Sequence, residues 1–509
     1  MGGNGMANKT VKGKFILKVL PFIFSVIIAC SAGKTPEGSS SGTSYVVVEP
    51  GTHPSLLFTS QEIDELRQKA SGSGLARDMW EKIRQQADNW TMGGEWTKEG
   101  MSMNAKALIY QVEGDEKAGR EGLRQLKEFL DEIDPYEFYF AEEISFFATE
   151  HWPKAFAFGY DWLYPLMSEN ERKEIAGKLE LWCKALYEHT EKNWWRDASY
   201  NCGAIPVGAL GLLCVAIQGE ASHPEFDSWF DSALTKIRDN FYPTSFRQSG
   251  ICYEGPCYAH YHKNATMFCE ALRRNGGPDI IPESGAINAM HYQRFQWKPN
   301  GGEGPIGDNT SYGRRVFQSI YLFGINELKD RAGLHTFLKW TDRDRLNPIE
   351  TFIFYPLDIE PLSAGQQDLY NSYYFEITPY KAGYLYSRSE WDNEDAAYFA
   401  FVTRYANANH QHYDMNTFLF TAFGEDFATH ANLYPYQDSL HGVDWEHNIV
   451  IIDGGGAPGH DAVNGAGDDC SVNGYMTGVG TGNFADYVRG DAAASYKDES
   501  LKTSEPAVR

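Results

Sequence analysis

Cysteine is scarce and follows no pattern in this sequence. Eight cysteines occur among 509 residues, at irregular spacing and without a CxxC pair. This argues against a disulfide framework and against zinc or redox sites built on CxxC motifs. Cys183, Cys214 and Cys269 stand in apolar surroundings and are predicted to be buried thiols, while a bond between Cys252 and Cys257 is an open alternative.

Basic residues are outnumbered by acidic ones. Lysine and arginine total 45 against 69 aspartates and glutamates, which gives a formal net charge of −24. No strongly basic run stands apart from the rest. A chain of this charge repels phosphate backbones, so nucleic acid is not expected as a partner.

The apolar run near the N-terminus, FIFSVIIA (22–29), is too short to span a membrane. Several lysines precede it and Cys30 follows it, which is the layout of an export signal. VIIAC also resembles a bacterial lipoprotein signal, which implies cleavage before Cys30 and a lipid attached to it. An ordinary signal with a chance cysteine is the alternative.

Residues 1–30 are therefore predicted to be a signal peptide, and residues 31–52, with their glycines and serines, a flexible tether. We expect an exported protein in the periplasm or at the cell surface, held to the membrane by its lipid.

Residues 53–360 are predicted to form helices. Thr59 with Glu62 and Ser168 with Glu171 match the capping box, in which a hydroxyl and a carboxylate satisfy the first backbone N–H groups of a helix. After the second box one apolar face repeats at helical spacing, through Ile175, Leu179, Trp182 and Leu186. Further helical stretches follow at about 208–217, 226–239, 260–274 and 314–326. Many helices in series predict a helical toroid or bundle.

Residues 361–509 are predicted to form an antiparallel β-sandwich. Aromatic and β-branched runs recur there, punctuated by glycine and aspartate, as AAYFAFVTRY (396–405), TFLFTAF (417–423) and NIVIID (448–453). GED (424–426) is a predicted hairpin turn. Few strands follow the third run, so we expect a small or incomplete sandwich.

Histidines cluster in the second half of the chain. Five of the 14 lie between His410 and His447. His410 and His412 are two residues apart, and such side chains point the same way in an extended chain. The clustering favours a metal site, whereas each histidine alone would be expected to be an ordinary core or surface residue.

Five stretches together resemble the heparinase II/III-like polysaccharide lyases, which act on uronate polymers such as heparin, heparan sulfate and alginate. They are AFGYDWLYPLMSENER (157–172), YNCGAIPVGALGLL (200–213), YEGPCYAHYHKN (253–264), NANHQHYDMNTFLF (407–420) and EHNIVIIDGGG (446–456). The resemblance implies an incomplete (α/α) toroid followed by a β-sandwich, and cleavage of an anionic uronate polysaccharide by β-elimination.

β-Elimination needs three groups that converge on one sugar: a neutraliser of the uronate carboxylate, a base for the C5 proton and an acid for the leaving oxygen. The resemblance assigns the first role to Asn201, whose alternative is to cap its own helix. It makes Tyr258 the acid, and Tyr258 or His410 the base. His410 as a second metal ligand is the competing interpretation.

Residues flanking these motifs are candidates for substrate binding. Glu254 is expected to support its loop. Tyr261, His260 and His262 are alternatives to Tyr258 as the acid or base. Positive charge near the motifs could come from Arg247, Arg294, Lys298, Arg314 and Arg315, although ordinary solvated charges are a common alternative. Rings that stack on sugars could come from Trp194, Trp195 and Trp297, although core tryptophans are a common alternative.

The resemblance also implies one metal ion. His412 and His447 match two ligands of the family, and the third, commonly an aspartate, falls near His430, with Asp426 as the alternative. Three imidazoles suit zinc better than calcium. The metal would be structural and would brace the loop that presents His410.

Two other classes of protein compete with the lyase. A glycoside hydrolase on an α/α toroid would need two carboxylates, for which Glu142, Glu143 and Asp161 can be nominated. A surface lipoprotein that binds glycans without cleaving them would need neither base nor acid.

Overall fold

The computed structural model describes residues 52–88, 96–140, 151–192, 201–244, 246, 249–252, 254, 258, 261–302, 304, 306, 318–362, 371–377, 382–403, 416–429, 448, 475–480 and 486–492. The predicted signal peptide with Cys30, and all of the predicted tether except its last residue, lie outside these ranges.

Helices make up the described chain as far as residue 354. They are α1 (Ile63–Ser71), α2 (Leu75–Asp88), α3 (Trp96–Glu113), α4 (Glu116–Glu132), α5 (Pro135–Phe140), α6 (His151–Leu163), α7 (Glu169–Lys192), α8 (Asn201–Ile217), α9 (Phe226–Thr235), α10 (Tyr242–Thr244), α11 (Lys263–Arg274), α12 (Ala289–Gln296), α13 (Tyr321–Leu328), α14 (Arg331–Trp340) and α15 (Pro348–Phe354).

Both predicted capping boxes form. The Glu62 carboxylate accepts a hydrogen bond from the Thr59 backbone N–H at 2.8 Å. At α7 the Glu171 carboxylate accepts from the Ser168 N–H at 3.0 Å, and the Glu171 N–H donates to the Ser168 hydroxyl at 3.4 Å. The apolar face predicted for α7 is buried along its whole length.

The helices are arranged in a two-layer ring. In the inner layer each helix contacts the next in the series α3, α6, α8 and α11. The outer layer consists of α4, α7 and α9, which pack against these helices. From α11 the contacts continue through two short 3-10 turns, Ile281–Glu283 and Ala286–Asn288, to α13 and α15, and α15 packs against α2. This confirms the predicted toroid.

Two glycines let α8 and α11 approach closely. A Cβ at Gly208 would lie 2.6 Å from the backbone of Asn264 and Ala265, and one at Gly211 would lie 2.6 Å from the Phe268 ring. Since the contacts advance in the same direction along both helices, α8 and α11 run parallel. Their first residues therefore lie at the same end of the ring.

The described second half of the chain consists of antiparallel strands. They are β1 (Ser372–Ile377), β2 (Ala382–Arg388), β3 (Tyr398–Thr403), β4 (Thr417–Ala422), β5 (Glu425–Ala428), β6 (Tyr475–Gly480) and β7 (Tyr487–Asp491). β1 to β5 form one sheet in chain order, and β6 pairs with β7.

The hairpin predicted at GED forms one residue earlier than expected. Ala422 pairs with Glu425, so the turn consists of Phe423 and Gly424, both with positive φ (56° and 74°). This backbone matches the twist of the flanking strands in a two-residue hairpin.

The five-stranded sheet is covered on both faces. Tyr384 and Tyr386 of β2 face the helical ring, where they pack with Tyr292 of α12. Leu385 between them points to the opposite face and packs with Met476 of β6. Because side chains alternate along a strand, one strand serves both cores. The two sheets pack as the predicted sandwich.

A buried arginine attaches the sheet to the ring. The Arg388 guanidinium donates to the backbone carbonyls of Arg294, Phe295 and Trp297, the last at 2.6 Å, and lies 3.9 Å from the centre of the Trp391 ring. These carbonyls lie at the C-terminal end of α12, which favours a cation. Burial lowers the pKa of Arg388 to about 10, so it stays charged at neutral pH.

The last helix ends at Phe354 and the first strand begins at Ser372, on either side of the predicted boundary between residues 360 and 361. In the ranges that the structure describes, no helix combines the length and the apolar character that a membrane crossing requires. Cys183, Cys214 and Cys269 are fully buried thiols, as predicted, and burial raises the pKa of Cys183 and Cys269.

Candidate active site

The candidate site lies at the end of the ring where the inner helices begin. α8 starts with Asn201 and α11 starts with Lys263 at this end. A small cavity of about 120 Å³ opens beside Lys263, and its lining includes His151 and Lys154 of α6 and Asn347 and Glu350 at the start of α15. Asn201 and Tyr258 are not part of its described lining. Helix N-termini carry partial positive charge, so this end of the ring favours anions.

Asn201 is held by Glu254. The Asn201 side-chain amide donates to Oε1 of Glu254 at 2.6 Å, and the Asn201 backbone N–H donates to Oε2 at 2.6 Å. Both residues are buried. The carboxylate of Glu254 thus caps the first N–H of α8 and fixes the orientation of the amide. This agrees with the supporting role expected of Glu254, whereas a direct contact between Glu254 and substrate stays a prediction.

Tyr258 lies four residues after Glu254. Its ring is largely buried and stacks on the ring of Tyr261, with centroids 5.6 Å apart. The pair belongs to the segment that leads into α11, at the same end of the ring as Asn201. The structure thus brings two of the three predicted catalytic residues to one end of the ring.

His262, which the sequence offers as a rival of Tyr258 by position alone, belongs to the core. It is buried, its Nδ1 lies 2.6 Å from the Thr266 hydroxyl, and its ring stacks on Phe246 at 4.4 Å. Its packing gives it a structural role. His260 lies outside the described residues.

Asp161, nominated for a hydrolase, is a structural carboxylate. It is fully buried and accepts hydrogen bonds from the backbone N–H groups of Ser55 at 2.9 Å and Leu56 at 3.1 Å, and it lies 2.6 Å from Nδ1 of His53. A carboxylate so enclosed has no contact with a polymer. Glu142 and Glu143 lie outside the described residues.

Three residues considered for substrate binding are buried at the junction of ring and sheet. Arg294 and Trp297 are buried, and Lys298 forms an ion pair with Asp426 at 2.6 Å. The sequence pattern does not distinguish such interior side chains from exposed ones. The remaining candidates lie outside the described residues: Arg247, Arg314, Arg315, Trp194 and Trp195.

The sequence patterns did not identify Lys154 and Lys263, which lie at the mouth of the ring, the end where the inner helices begin. Lys154 pairs with Glu350 at 3.2 Å, and both lysines line the small cavity. Lys263 lies within the stretch YEGPCYAHYHKN that contains Tyr258, which is a signal that could have identified it.

The predicted metal ligands His412, His430 and His447, together with His410, lie outside the described residues. Within the described part of the chain, no group of three or more histidines, cysteines or acidic residues is placed to hold a metal. The alternative ligand Asp426 accepts from Lys298 and from the Thr421 hydroxyl, both at 2.6 Å. A cation at that carboxylate would have to displace Lys298.

No protein-family model matches the chain. Among solved structures, the chain is similar to a mutant of the heparan sulfate lyase of Pedobacter heparinus, with 13% sequence identity and a TM-score of 0.49 over 83% of this chain and 65% of that one. It is also similar to a heparinase III with methylated lysines, at 13% identity and a TM-score of 0.46, over 80% of this chain and 62% of that one. The chain therefore spans less than two thirds of the length of either neighbour. The fold itself rests on the helices and strands of this chain.

Proposed function

We propose that this chain is a polysaccharide lyase that cleaves a uronate-containing polymer by β-elimination. The proposal rests on the two hydrogen bonds from Asn201 to Glu254, which fix the Asn201 amide at the same end of the ring as Tyr258. An amide fixed in this way can donate to a substrate carboxylate without titrating, which is the first requirement of the reaction.

In the proposed reaction, Asn201 hydrogen-bonds the uronate carboxylate and so lowers the cost of forming a carbanion at C5. Tyr258 or His410 removes the C5 proton. The electron pair forms the double bond between C4 and C5, the C4–O bond breaks, and the Tyr258 hydroxyl protonates the leaving oxygen. The products are an unsaturated uronate and a new chain end.

The net charge of −24 does not oppose this substrate. Exposed charges are screened beyond about 8 Å at physiological salt, so local charge decides binding. Lys263 and the helix N-termini around it supply positive potential at this end of the ring, whereas the charge of Lys154 is offset by Glu350.

His412, His430 and His447 are proposed to hold one structural zinc ion that braces the His410 loop. The role of the zinc is to fix that loop, because elimination uses no metal-bound water. Metal analysis of the purified protein tests this: we expect about one zinc per chain, lost in the His412→Ala and His447→Ala variants, and an unchanged zinc content in both variants would contradict it.

The protein is proposed to be exported and anchored through a lipid on Cys30. A Cys30→Ser variant should then move from the membrane fraction to the soluble fraction of cells. A native chain that is already soluble would contradict the anchor.

The activity is tested by incubating the full chain with a panel of uronate polymers while the ultraviolet absorbance of the conjugated double bond is followed. We expect absorbance to rise on at least one polymer and to be lost in Tyr258→Phe and His410→Ala. Tyr487→Phe, an exposed tyrosine on β7, is the matched control and should keep full activity.

Other outcomes overturn the proposal. New reducing ends without absorbance would indicate hydrolysis, and polymer binding without any cleavage would indicate a glycan-binding protein. Asp161→Asn distinguishes a structural Asp161 from a catalytic one. If Asp161 is structural, the substitution should lower the melting temperature but leave the rate per folded molecule unchanged.

A further inference from the structure

A larger cavity, of about 640 Å³, lies where the helical ring meets the edge strand β1. It falls in the size range of small-molecule sites. Its described lining includes Arg238, Ser249, Glu283, Asn288, His291, Tyr373 and Glu376. None of the proposed catalytic residues is among them.

An aromatic wall borders the cavity. The Tyr373 ring lies edge-on to the His291 ring at 4.6 Å and contacts the Phe375 ring at 4.5 Å, yet 37% of Tyr373 remains exposed. Contacts on one side hold the ring in place, and the other side is available to a ligand. A ring held in this way loses little entropy when a flat apolar face packs on it.

Polar groups complete the lining. Ser249 Oγ is buried and has no hydrogen-bond partner among the described residues. Glu283 and Glu376 add exposed carboxylates, which accept hydrogen bonds from hydroxyl groups. An aromatic face combined with hydroxyl, amide and carboxylate groups suits a pyranose ring, which has an apolar face and a polar edge.

The charge of the lining argues against an acidic sugar. Arg238 is the one guanidinium in the described lining, and Asp239 binds it through two hydrogen bonds of 2.6 Å. His291 is uncharged at neutral pH, because burial lowers its pKa to about 4. Glu283 and Glu376 therefore leave the described lining of the cavity negative.

A series of hydroxyl contacts leads from the cavity to α11. The hydroxyl of Tyr242, which lines the cavity, lies 3.1 Å from the Thr266 hydroxyl, and Thr266 in turn lies 2.6 Å from His262. Thr266 belongs to α11, the helix that follows the Tyr258 segment. The described lining of this cavity has no residue in common with that of the small cavity beside Lys263.

We propose that this cavity is a second carbohydrate-binding site that takes an uncharged pyranose unit, with Tyr373 as the stacking platform and Ser249 as a hydrogen-bonding partner. The inference does not depend on lyase activity, since it concerns binding at equilibrium.

The test is calorimetric titration of the full-length Tyr258→Phe chain, which is not expected to cleave uronates. The probes are neutral trisaccharides of glucose, galactose, mannose and N-acetylglucosamine, and a trisaccharide of uronates, at up to about 10 mM. At least one neutral trisaccharide should bind, and Tyr373→Ala should weaken its binding about tenfold. Ser249→Ala should weaken it by a smaller factor.

Tyr487→Ala, which removes an exposed tyrosine of β7, is the matched control and should bind like the parent. Failure of every neutral trisaccharide to bind would overturn the proposal. So would equal binding by the Tyr373→Ala and parent proteins, or tighter binding of the uronate trisaccharide that is lost in Tyr373→Ala. None of these results bears on whether the native chain cleaves uronate polymers.

Discussion

At the scale of single residues, the orientation of Asn201 depends on one carboxylate. Both oxygens of Glu254 accept hydrogen bonds from Asn201 in a buried setting. Glu254→Gln replaces one acceptor with an NH₂ group that faces another donor, at a cost of about 1–3 kcal/mol. The variant should therefore lose stability, and its kcat should fall further than the substrate KM changes.

The measurement is steady-state kinetics of double-bond formation together with urea unfolding. Glu425→Gln, an exposed glutamate on β5, controls for the loss of charge. If Glu254→Gln unfolded like the native chain and kept its kcat, Glu254 would not position Asn201.

The sequence nominates candidate site residues but does not show which of them are buried. Asn201 and Tyr258 could be nominated because each lies in a short local motif. Their geometry could not be predicted, because Glu254 reaches Asn201 across 53 positions of the chain. Arg294 and Lys298 were considered for substrate binding because they lie near the motifs, but local charge patterns carry no information about burial, and both lie in the interior.

At the scale of the element, the capping box of α7 makes a pH-dependent contribution. Hydrogen bonds from the Ser168 backbone and hydroxyl lower the pKa of Glu171 to about 2, from an ordinary value of 4.5. A carboxyl whose folded pKa is depressed stabilises the native state above its unfolded pKa and loses that effect as pH falls through the folded pKa. The stabilisation should therefore fade between about pH 4.5 and pH 2.

Ser168→Ala should cost about 1 kcal/mol at neutral pH, and the difference from the native chain should shrink through that acidic window. Urea unfolding at a series of pH values measures it. A difference that stayed constant down to pH 2 would show that the Glu171 carboxylate does not act through the box.

The β4–β5 turn offers a second test at this scale. Phe423 adopts φ of 56° with 78% of its surface exposed, so its bulky side chain holds an unfavourable backbone conformation with little burial to offset it. Asparagine tolerates this conformation, and Asn-Gly favours the two-residue hairpin. Phe423→Asn should raise stability by about 0.5–1 kcal/mol.

The matched change is Gly424→Ala at φ of 74°, which should lower stability by about 1 kcal/mol, as judged by the urea midpoint. A loss of stability in Phe423→Asn would mean that the exposed ring makes a contact worth more than the backbone strain. The one-residue error in the predicted turn has the same origin, since the sequence offers glycine as the natural start of a turn and a phenylalanine precedes it.

At the scale of the whole molecule, the periodicities of the two halves predicted a helical ring and an antiparallel sandwich, but not how they join. Helical and strand patterns are local, whereas the junction is made by side chains distant in sequence. Arg388 of β2 contacts carbonyls more than ninety positions earlier in the chain. Tyr292 of α12 shares a core with the tyrosines of β2.

This junction should control activity as well as stability. The predicted base His410 falls between β3 and β4 in the sequence, so a reaction that uses it would depend on how this sheet is attached to the ring. Arg388→Lys keeps the charge but loses the planar guanidinium that reaches the carbonyls of α12, at an expected cost of about 2–3 kcal/mol. Hydrogen exchange should then speed up in α12 and in β1 to β3 more than in α8, and kcat should fall.

Arg489→Lys on β7 is the control, because Arg489 is exposed. Equal acceleration of exchange in α8 would instead mean that ring and sheet open as a single unit, since loss of a local attachment exposes only the elements that it joins.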